Sequence, residues 1–114
     1  MDEERYARQI RLRQIGREGQ RRLSESRVAI VGCGALGSHQ AEMLARAGIG
    51  YLRLVDRDVV EISNLPRQTL FDEDDVRSRM PKARAAAEKL QKINSALQLE
   101  VHVRDFNSSN AERL

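Results

Sequence analysis

The sequence contains one cysteine, two prolines and no tryptophan, and it has no long apolar run. Cys33 cannot form a disulfide within the chain, which fits a reducing cytoplasm, and a lone thiol excludes a zinc knuckle. No stretch approaches the roughly 18 apolar residues that a membrane-spanning helix requires, so we expect no membrane association. The first residues are acidic and basic where a signal peptide would be apolar, and we therefore expect a cytoplasmic location.

Aromatic residues are also scarce, at 4% of the chain. They are too few for a platform on which bases stack, and a net charge of +3 is too small to indicate nucleic acid. We therefore expect no nucleic-acid partner. The remaining composition, 40% apolar and 32% charged, is typical of one globular domain or a part of one.

The N-terminal region predicts a helical arm. Residues 3–26 show no β alternation, and their apolar residues stand among arginines and glutamates with Gly16 and Gly19 as breakers. We expect two short helices here. The pattern then changes to short strands, which divides the chain into an arm at residues 1–27 and a nucleotide-binding domain at 28–114.

Three runs of the domain predict strands, at 27–31, 51–55 and 97–103. The first is short, apolar and β-branched, which is typical of a strand buried on both faces. Helices or a long loop connect the runs. This order predicts an α/β fold with a parallel sheet wound by right-handed crossovers, the N-terminal half of a three-layer Rossmann-like fold.

Two longer helices are predicted, at 34–48 and 82–94. Residues 57–81 between the second strand and the last helix hold acids and both prolines, and we expect mostly loop. The first helix places four apolar residues near helical spacing: Leu36, Met43, Leu44 and Ala47. The chain ends on capping residues and the opening turn of another helix, so we expect it to be part of a longer domain.

A glycine-rich loop, residues 32–37, follows the first strand and opens the next helix. In this G-x-G-x-x-G pattern Gly32 permits a tight turn, Gly34 lets a phosphate approach bare backbone, and Gly37 allows the helix to pack closely on the strand. The N–H groups at the helix start then face an anion. Asp56 ends the second strand, where its carboxylate can bind ribose hydroxyls. The arrangement predicts an adenosine nucleotide.

Cations after the second strand favour ATP over NAD. Preorganised Arg and Lys stabilise the charge that shifts among phosphate oxygens in nucleotidyl transfer, whereas hydride transfer has no use for them. Arg67 and Lys82 are the candidates, and Lys82 stands at a helix N-terminus, where a cation is otherwise unfavourable. For each residue the alternative is a solvated charge, so an NAD- or FAD-binding module of an oxidoreductase stays open at this point.

The chain resembles the N-terminal half of ThiF/MoeB/HesA family proteins, which are bacterial relatives of the ubiquitin-activating enzymes. The resemblance covers essentially all 114 residues, in order and at near-family spacing. It is carried by Arg5-Tyr6-Ala7-Arg8-Gln9-Ile10, Gly16-x-x-Gly19-Gln20, the glycine-rich loop, Val55-Asp56-x-Asp58-x-Val60-x-x-Ser63-Asn64-Leu65-x-Arg67-Gln68, and Pro81-Lys82-Ala83 with Ile93-Asn94.

This resemblance implies an ATP-dependent adenylyltransferase that activates the C-terminal glycine of a ubiquitin-like sulfur carrier protein, as in thiamine or molybdopterin biosynthesis. It also implies magnesium, although the Asp-x-x-Asp segment that holds this ion in the family is absent from the sequence, and we expect no adenylation from these residues alone. A non-catalytic relative that serves as an interaction platform is the further alternative.

The resemblance also implies roles for individual residues. Arg8 matches an arginine that reaches the ATP of a partner subunit, which implies a homodimer, and Arg67 and Lys82 are the other candidate catalytic residues. Residues matching the nucleotide-binding positions are Gly32, Gly34, Ala35, Gly37, Asp56, Asp58, Ser63, Asn64, Arg67 and Lys82.

One residue departs from the family pattern. Pro66 stands where the family usually has glutamine, which stiffens the turn before Arg67 and removes one N–H donor.

The predicted fold also bears on assembly. In a doubly wound sheet the first strand lies beside the strand that begins the second half. We therefore expect an unpaired apolar edge at 28–31, which would favour a homodimer through edge pairing or domain swapping.

Overall fold

The structure is a computed structural model that describes residues 2–114. Its elements follow the predicted order. In chain order they are α1 (Ala7–Ile10), α2 (Gly16–Glu25), β1 (Arg27–Val31), α3 (Ala35–Ala47), β2 (Tyr51–Val55), a 3₁₀ turn (Ile62–Asn64), α4 (Glu73–Arg77), α5 (Lys82–Ile93) and β3 (Gln98–His102). None of these helices has the length and apolarity that crossing a bilayer requires.

The three strands form one parallel sheet in the order β1-β2-β3. Its register aligns apolar residues on one face: Val28, Leu52 and Leu99 in one row, and Ile30, Leu54 and Val101 in the next. Both α3 and α5 pack on this face, because right-handed crossovers that proceed in one direction place their helices on the same side. The predicted α/β class with a parallel sheet is confirmed.

The opposite face of the sheet is polar and carries no helix within residues 2–114. Arg53 donates from Nη2 to Oε2 of Glu100 at 3.0 Å and from Nη1 to the carbonyl oxygen of Leu114 at 2.5 Å. Val31 on this face is 52% exposed. The expectation that β1 is buried on both faces is therefore wrong: these residues build the sheet and one helical layer.

Helix α3 faces the core with small residues rather than with its large apolar ones. Ser38, Ala41 and Ala45 are fully buried, whereas Leu36 and Met43 are 70% and 59% exposed. The predicted apolar face is wrong at Leu36 and Met43, whereas Leu44 does pack against the core. Helix α3 packs against the alanine-rich face of α5, and small side chains allow the two helices to approach closely.

The N-terminal arm binds the C-terminal ends of α3 and α5. Nε2 of Gln9 and Nε2 of Gln20 donate to the carbonyl oxygen of Ala47 at 3.0 and 2.9 Å. Arg5 donates from Nη1 to the carbonyl oxygen of Ile93 at 3.1 Å. Carbonyl groups in the last turn of a helix lack intrahelical partners, so these bonds satisfy groups that burial would otherwise leave unpaired. The docking fixes the arm at the end of α3 remote from the glycine-rich loop.

Replacing Gly48 by alanine tests this docking. Gly48 has φ +100°, and a Cβ there would lie 2.5 Å from Nε2 of Gln20 and 2.8 Å from Cζ of Tyr6. We expect Gly48→Ala to lower the free energy of unfolding by about 2–4 kcal/mol, because left-handed strain adds to the displacement of two buried side chains.

The matched control is Gly16→Ala. Gly16 also has positive φ, at +60°, but a Cβ there would meet no atom within 4 Å. The free energy of unfolding of Gly16→Ala should fall by only about 1 kcal/mol, because the backbone conformation is the only source of strain. Urea unfolding measures both variants, and equal losses would contradict the close packing of the arm on Gly48.

Candidate nucleotide-binding site

The glycine-rich loop connects β1 to α3 and uses each glycine differently. Gly32 has φ +94°, and its N–H donates to the carbonyl oxygen of Val55 at 2.7 Å. A Cβ on Gly37 would lie 1.8 Å from the carbonyl oxygen of Gly32, so no side chain fits there. A Cβ on Gly34 would meet one atom within 4 Å, Nε2 of Gln68 at 3.9 Å. The backbone at Gly34 therefore faces open space into which a ligand can approach.

The start of α3 has no side-chain cap. Gly34 is the N-cap residue, and the first turn contains no acidic side chain. Ser38 donates from its N–H and its Oγ to the carbonyl oxygen of Gly34 at 2.9 and 2.5 Å, which fixes the turn. The N–H groups of Ala35, Leu36 and Gly37, which precede this bond, stay available at the positive end of the helix dipole. This geometry suits an anion such as a phosphate group.

Asp56 connects the loop to the end of β2. Its Oδ2 accepts the N–H of Cys33 at 2.7 Å, and its Oδ1 accepts the N–H of Asp58 at 2.7 Å. A carboxylate offers about four acceptor positions, so each oxygen keeps one for a further donor. Asp56 therefore shapes the loop and keeps acceptor positions free for a ligand.

Cys33 lies fully buried beneath the loop. Burial and, to a smaller extent, the charge of Asp56 raise the pKa of its thiol to about 12, and the charge of Lys82 partly opposes them. A thiol that stays protonated at neutral pH is a poor nucleophile. Cys33 acts here as a small space-filling residue.

Lys82 begins α5 next to this loop. Its N–H donates to the carbonyl oxygen of Asp58 at 2.9 Å, which places both residues at the carboxyl end of the sheet. The residue is 8% exposed, and its ammonium group, which has no hydrogen bond or ion pair within the described range 2–114, keeps access to solvent. A mostly buried lysine with an accessible charged end suits an anionic ligand.

The turn at 62–64 carries two of the predicted site residues, Ser63 and Asn64, and a third, Arg67, follows it. The buried Asn64 accepts the N–H of Glu61 on Oδ1 at 2.7 Å, so its side chain shapes the turn. Ser63 and Arg67 are exposed, and Nη1 of Arg67 donates to the carbonyl oxygen of Ser63 at 3.1 Å. Gln68, the next residue, lies against Gly34, which brings this turn to the glycine-rich loop.

Arg8 is the one predicted site residue that the fold keeps away from this cluster. It is exposed on α1, whose neighbour Gln9 binds Ala47 at the far end of α3. The thirteen residues of α3 span about 20 Å at 1.5 Å per residue. Arg8 therefore stands about a helix length from the loop of its own chain.

Lys89 is a residue that the sequence patterns did not single out and that holds the loop after β2 in place. Nζ of Lys89 lies 2.8 Å from Oδ2 of Asp75 and 3.0 Å from Oδ2 of Asp72, the two residues that cap the start of α4. These ion pairs hold the start of α4 against α5. The spacing Asp72-x-x-Asp75 is recognisable as a cap, but its cationic partner fourteen residues later is set by tertiary packing.

Acidic residues around the site do not converge on a metal position. Among residues 2–114 no group of three or more His, Cys, Asp or Glu side chains could hold a metal ion. The loop, the uncapped helix start and the two cations suit the phosphates and ribose of a nucleotide instead.

Comparison with known proteins gives relatives along most of the chain. The sequence profile of the ThiF family matches residues 6–114. The sulfur carrier protein ThiS adenylyltransferase of Bacillus subtilis (strain 168) is 50% identical over 106 residues, which cover 93% of this chain and 32% of that protein. The adenylyltransferase and sulfurtransferase MOCS3 of Mus musculus is 48% identical over 100 residues, which cover 88% of this chain and 21% of that protein. The chain thus spans a third or less of the length of these relatives.

Solved structures show the same fold. The E. coli tRNA N6-threonylcarbamoyladenosine dehydratase TcdA, in complex with ATP, superposes with a TM-score of 0.89 at 31% identity, over 97% of this chain and 44% of that one. E. coli MccB with ATP gives a TM-score of 0.85 at 32% identity, over 96% of this chain and 34% of that one. These likenesses confirm the predicted Rossmann-like fold.

The Lys89 network predicts a pH-dependent loss of stability in Lys89→Met. At pH 7 the free energy of unfolding should fall by about 1–3 kcal/mol, because the buried carboxylate of Asp75 loses its cationic partner. The hydrogen bond from Lys89 lowers the pKa of Asp72. Stabilisation from a lowered carboxyl pKa is present above the ordinary value and is lost as the pH falls through the folded value.

The difference between Lys89→Met and the unmodified chain should therefore shrink below about pH 4. Lys92→Met, at an exposed position of the same helix, is the control and should change stability little at either pH. Urea unfolding at pH 7 and pH 3 measures all three proteins. If Lys89→Met lowers the free energy of unfolding by as much at pH 3 as at pH 7, the carboxylates are not the cause of the loss.

Proposed function

The chain belongs to the ThiF family, and from this premise we propose that it is the ATP-binding part of an adenylyltransferase that activates a ubiquitin-like sulfur carrier protein. The observation that carries the proposal is the uncapped helix start at the glycine-rich loop, with Asp56 on one side and Lys82 on the other. The relatives named adenylyltransferases support the reaction class, and the ATP complexes of two structural neighbours support the nucleotide.

In the proposed reaction, a carboxylate oxygen of the carrier's C-terminal glycine attacks the α-phosphorus of ATP. A new C–O–P linkage forms, the bond from the α-phosphorus to the bridging oxygen breaks, and pyrophosphate leaves with that electron pair. Negative charge moves onto the departing oxygens, where preorganised cations lower the barrier. Lys82 and Arg67 would supply this charge, and the N–H groups at the start of α3 would hold the phosphate chain.

The remaining site residues would position the nucleotide. Asp56 would accept hydrogen bonds from the ribose hydroxyls, and Asp58 would lie near it. Ser63 and Asn64 would stand beside the triphosphate on the turn that leads to Arg67. Gly32, Gly34, Ala35 and Gly37 would form the floor of the site, where the missing Cβ of Gly34 leaves room for phosphate oxygens.

A homodimer would give Arg8 its proposed role. Since Arg8 lies about a helix length from the loop of its own chain, it could act as a catalytic residue only on the nucleotide of a second subunit. The free edge of β1, which within the described part of the chain pairs with β2 alone, is a second potential contact through edge pairing or domain swapping.

Magnesium and the cytoplasmic location stay predictions. Magnesium would bind the phosphate oxygens and neutralise their charge, with ligands other than a carboxylate cluster of residues 2–114. The lone buried thiol of Cys33 fits a reducing compartment.

Titration calorimetry with ATP and with NAD tests the proposal. We expect the chain to bind ATP more tightly than NAD, and Arg67→Ala to weaken ATP binding about tenfold through the loss of a charge-assisted hydrogen bond. Arg77→Ala is the matched control, because Arg77 is exposed on α4 and paired with Glu73. It should leave the affinity unchanged.

Preference for NAD, unaffected by Arg67→Ala, would identify an oxidoreductase module instead. We expect no ATP–pyrophosphate exchange from the 114 residues alone, and exchange from a polypeptide of the relatives' length that carries them. ATP binding together with no exchange in that longer polypeptide, with every carrier supplied, would identify an interaction platform.

A further inference from the structure

Gln68 carries the one buried side-chain atom without a hydrogen-bond partner among residues 2–114, its Oε1. The residue is 2% exposed. Leaving a buried polar atom unpaired costs about 1–3 kcal/mol, and native structures rarely accept this without a reason. The cost would be recovered if a ligand brought a partner to the carboxamide.

The position of Gln68 relates it to the glycine-rich loop. Its Nε2 is the single atom that a Cβ on Gly34 would approach within 4 Å, at 3.9 Å. The carboxamide therefore borders the open space above the second glycine, where the uncapped N–H groups of α3 begin. This is the place where the fold suits a phosphate group.

The backbone holds Gln68 firmly in this position. Its N–H donates to the carbonyl oxygen of Asn64 at 2.9 Å, and its carbonyl oxygen accepts the N–H of Phe71 at 3.3 Å. The side chain is thus carried by the turn that also presents Arg67. A side chain fixed at both flanks loses little conformational freedom when it binds a ligand.

Lys82, which begins α5 and is mostly buried, lies beside the same loop. Its charge acts on the thiol of Cys33, the residue that precedes Gly34, so its ammonium lies close to the loop. The unpaired carboxamide oxygen of Gln68 and the ammonium of Lys82 therefore border the same short segment. A phosphate group seated over Gly34 would draw the ammonium toward the carboxamide and so give its oxygen the donor that it lacks.

We propose that Gln68 is a further ligand of the nucleotide's phosphate chain, an inference that rests on the proposed function. Its Nε2 donates to a phosphate oxygen seated over Gly34, while its Oε1 accepts a hydrogen bond from the ammonium of Lys82, which the same phosphate attracts. Gln68 thus contacts the substrate and orients a catalytic cation at the same time.

The variant Gln68→Met separates this role from a structural one. Methionine keeps the length and volume but removes both polar atoms, so the free protein should melt at the same temperature or higher. Its affinity for ATP should fall about tenfold, whereas its affinity for adenosine, which has no phosphate, should not change. Gln40→Met, at an exposed position of α3, is the control and should alter neither value.

Amide NMR of the unmodified chain keeps the test independent of how the variant folds. The side-chain NH₂ resonances of Gln68 should shift on addition of ATP and stay in place with adenosine. A Gln68→Met chain that melts lower and binds ATP as tightly as before, or Gln68 resonances that ATP does not move, would overturn the inference while leaving ATP binding intact. Absence of ATP binding by the unmodified chain would overturn the proposed function as well.

Discussion

The carboxylate of Asp56 is the point on which the site depends, because it accepts backbone N–H groups from two segments at once. Through Cys33 it fixes the glycine-rich loop, and through Asp58 it fixes the start of the chain that leads to the last helix. Asp58 in turn accepts the N–H of Lys82, so the loop, the end of β2 and the start of α5 form one hydrogen-bonded unit. This unit holds open a space lined by N–H groups and flanked by buried polar side chains.

The opposite end of the helical layer is stabilised in a different way. There the side-chain amides of Gln9 and Gln20 in the arm both donate to the carbonyl oxygen of Ala47, the last residue of α3. The C-terminal end of α3 is thereby hydrogen-bonded within the protein, whereas the N–H groups at its N-terminal end have no side-chain cap and can bind a ligand. This asymmetry accounts for a stable fold that still exposes unpaired donors at one place.

Much of the fold could be predicted from the sequence, because short β-branched runs and glycines report local structure directly. The strands, the long helices and the loop at 32–37 were all found in this way. The exposure of the Leu36 and Met43 side chains could not be predicted, because it depends on how closely α3 approaches α5. The unpaired state of Gln68 also escaped prediction, since burial and hydrogen bonding between distant segments leave no local pattern. The proposed roles of the site residues rest on their motifs and on the resemblance, and the fold brings all of them except Arg8 toward the glycine-rich loop.

A crystal structure of the chain with ATP tests the central claim most directly. We expect the triphosphate against the backbone of Gly34, with the ribose hydroxyls within hydrogen-bond distance of Asp56. A nucleotide bound elsewhere would contradict the account, for example in the groove of about 700 Å³ between α3 and α5 that His39 and Lys92 line, with the glycine-rich loop unoccupied.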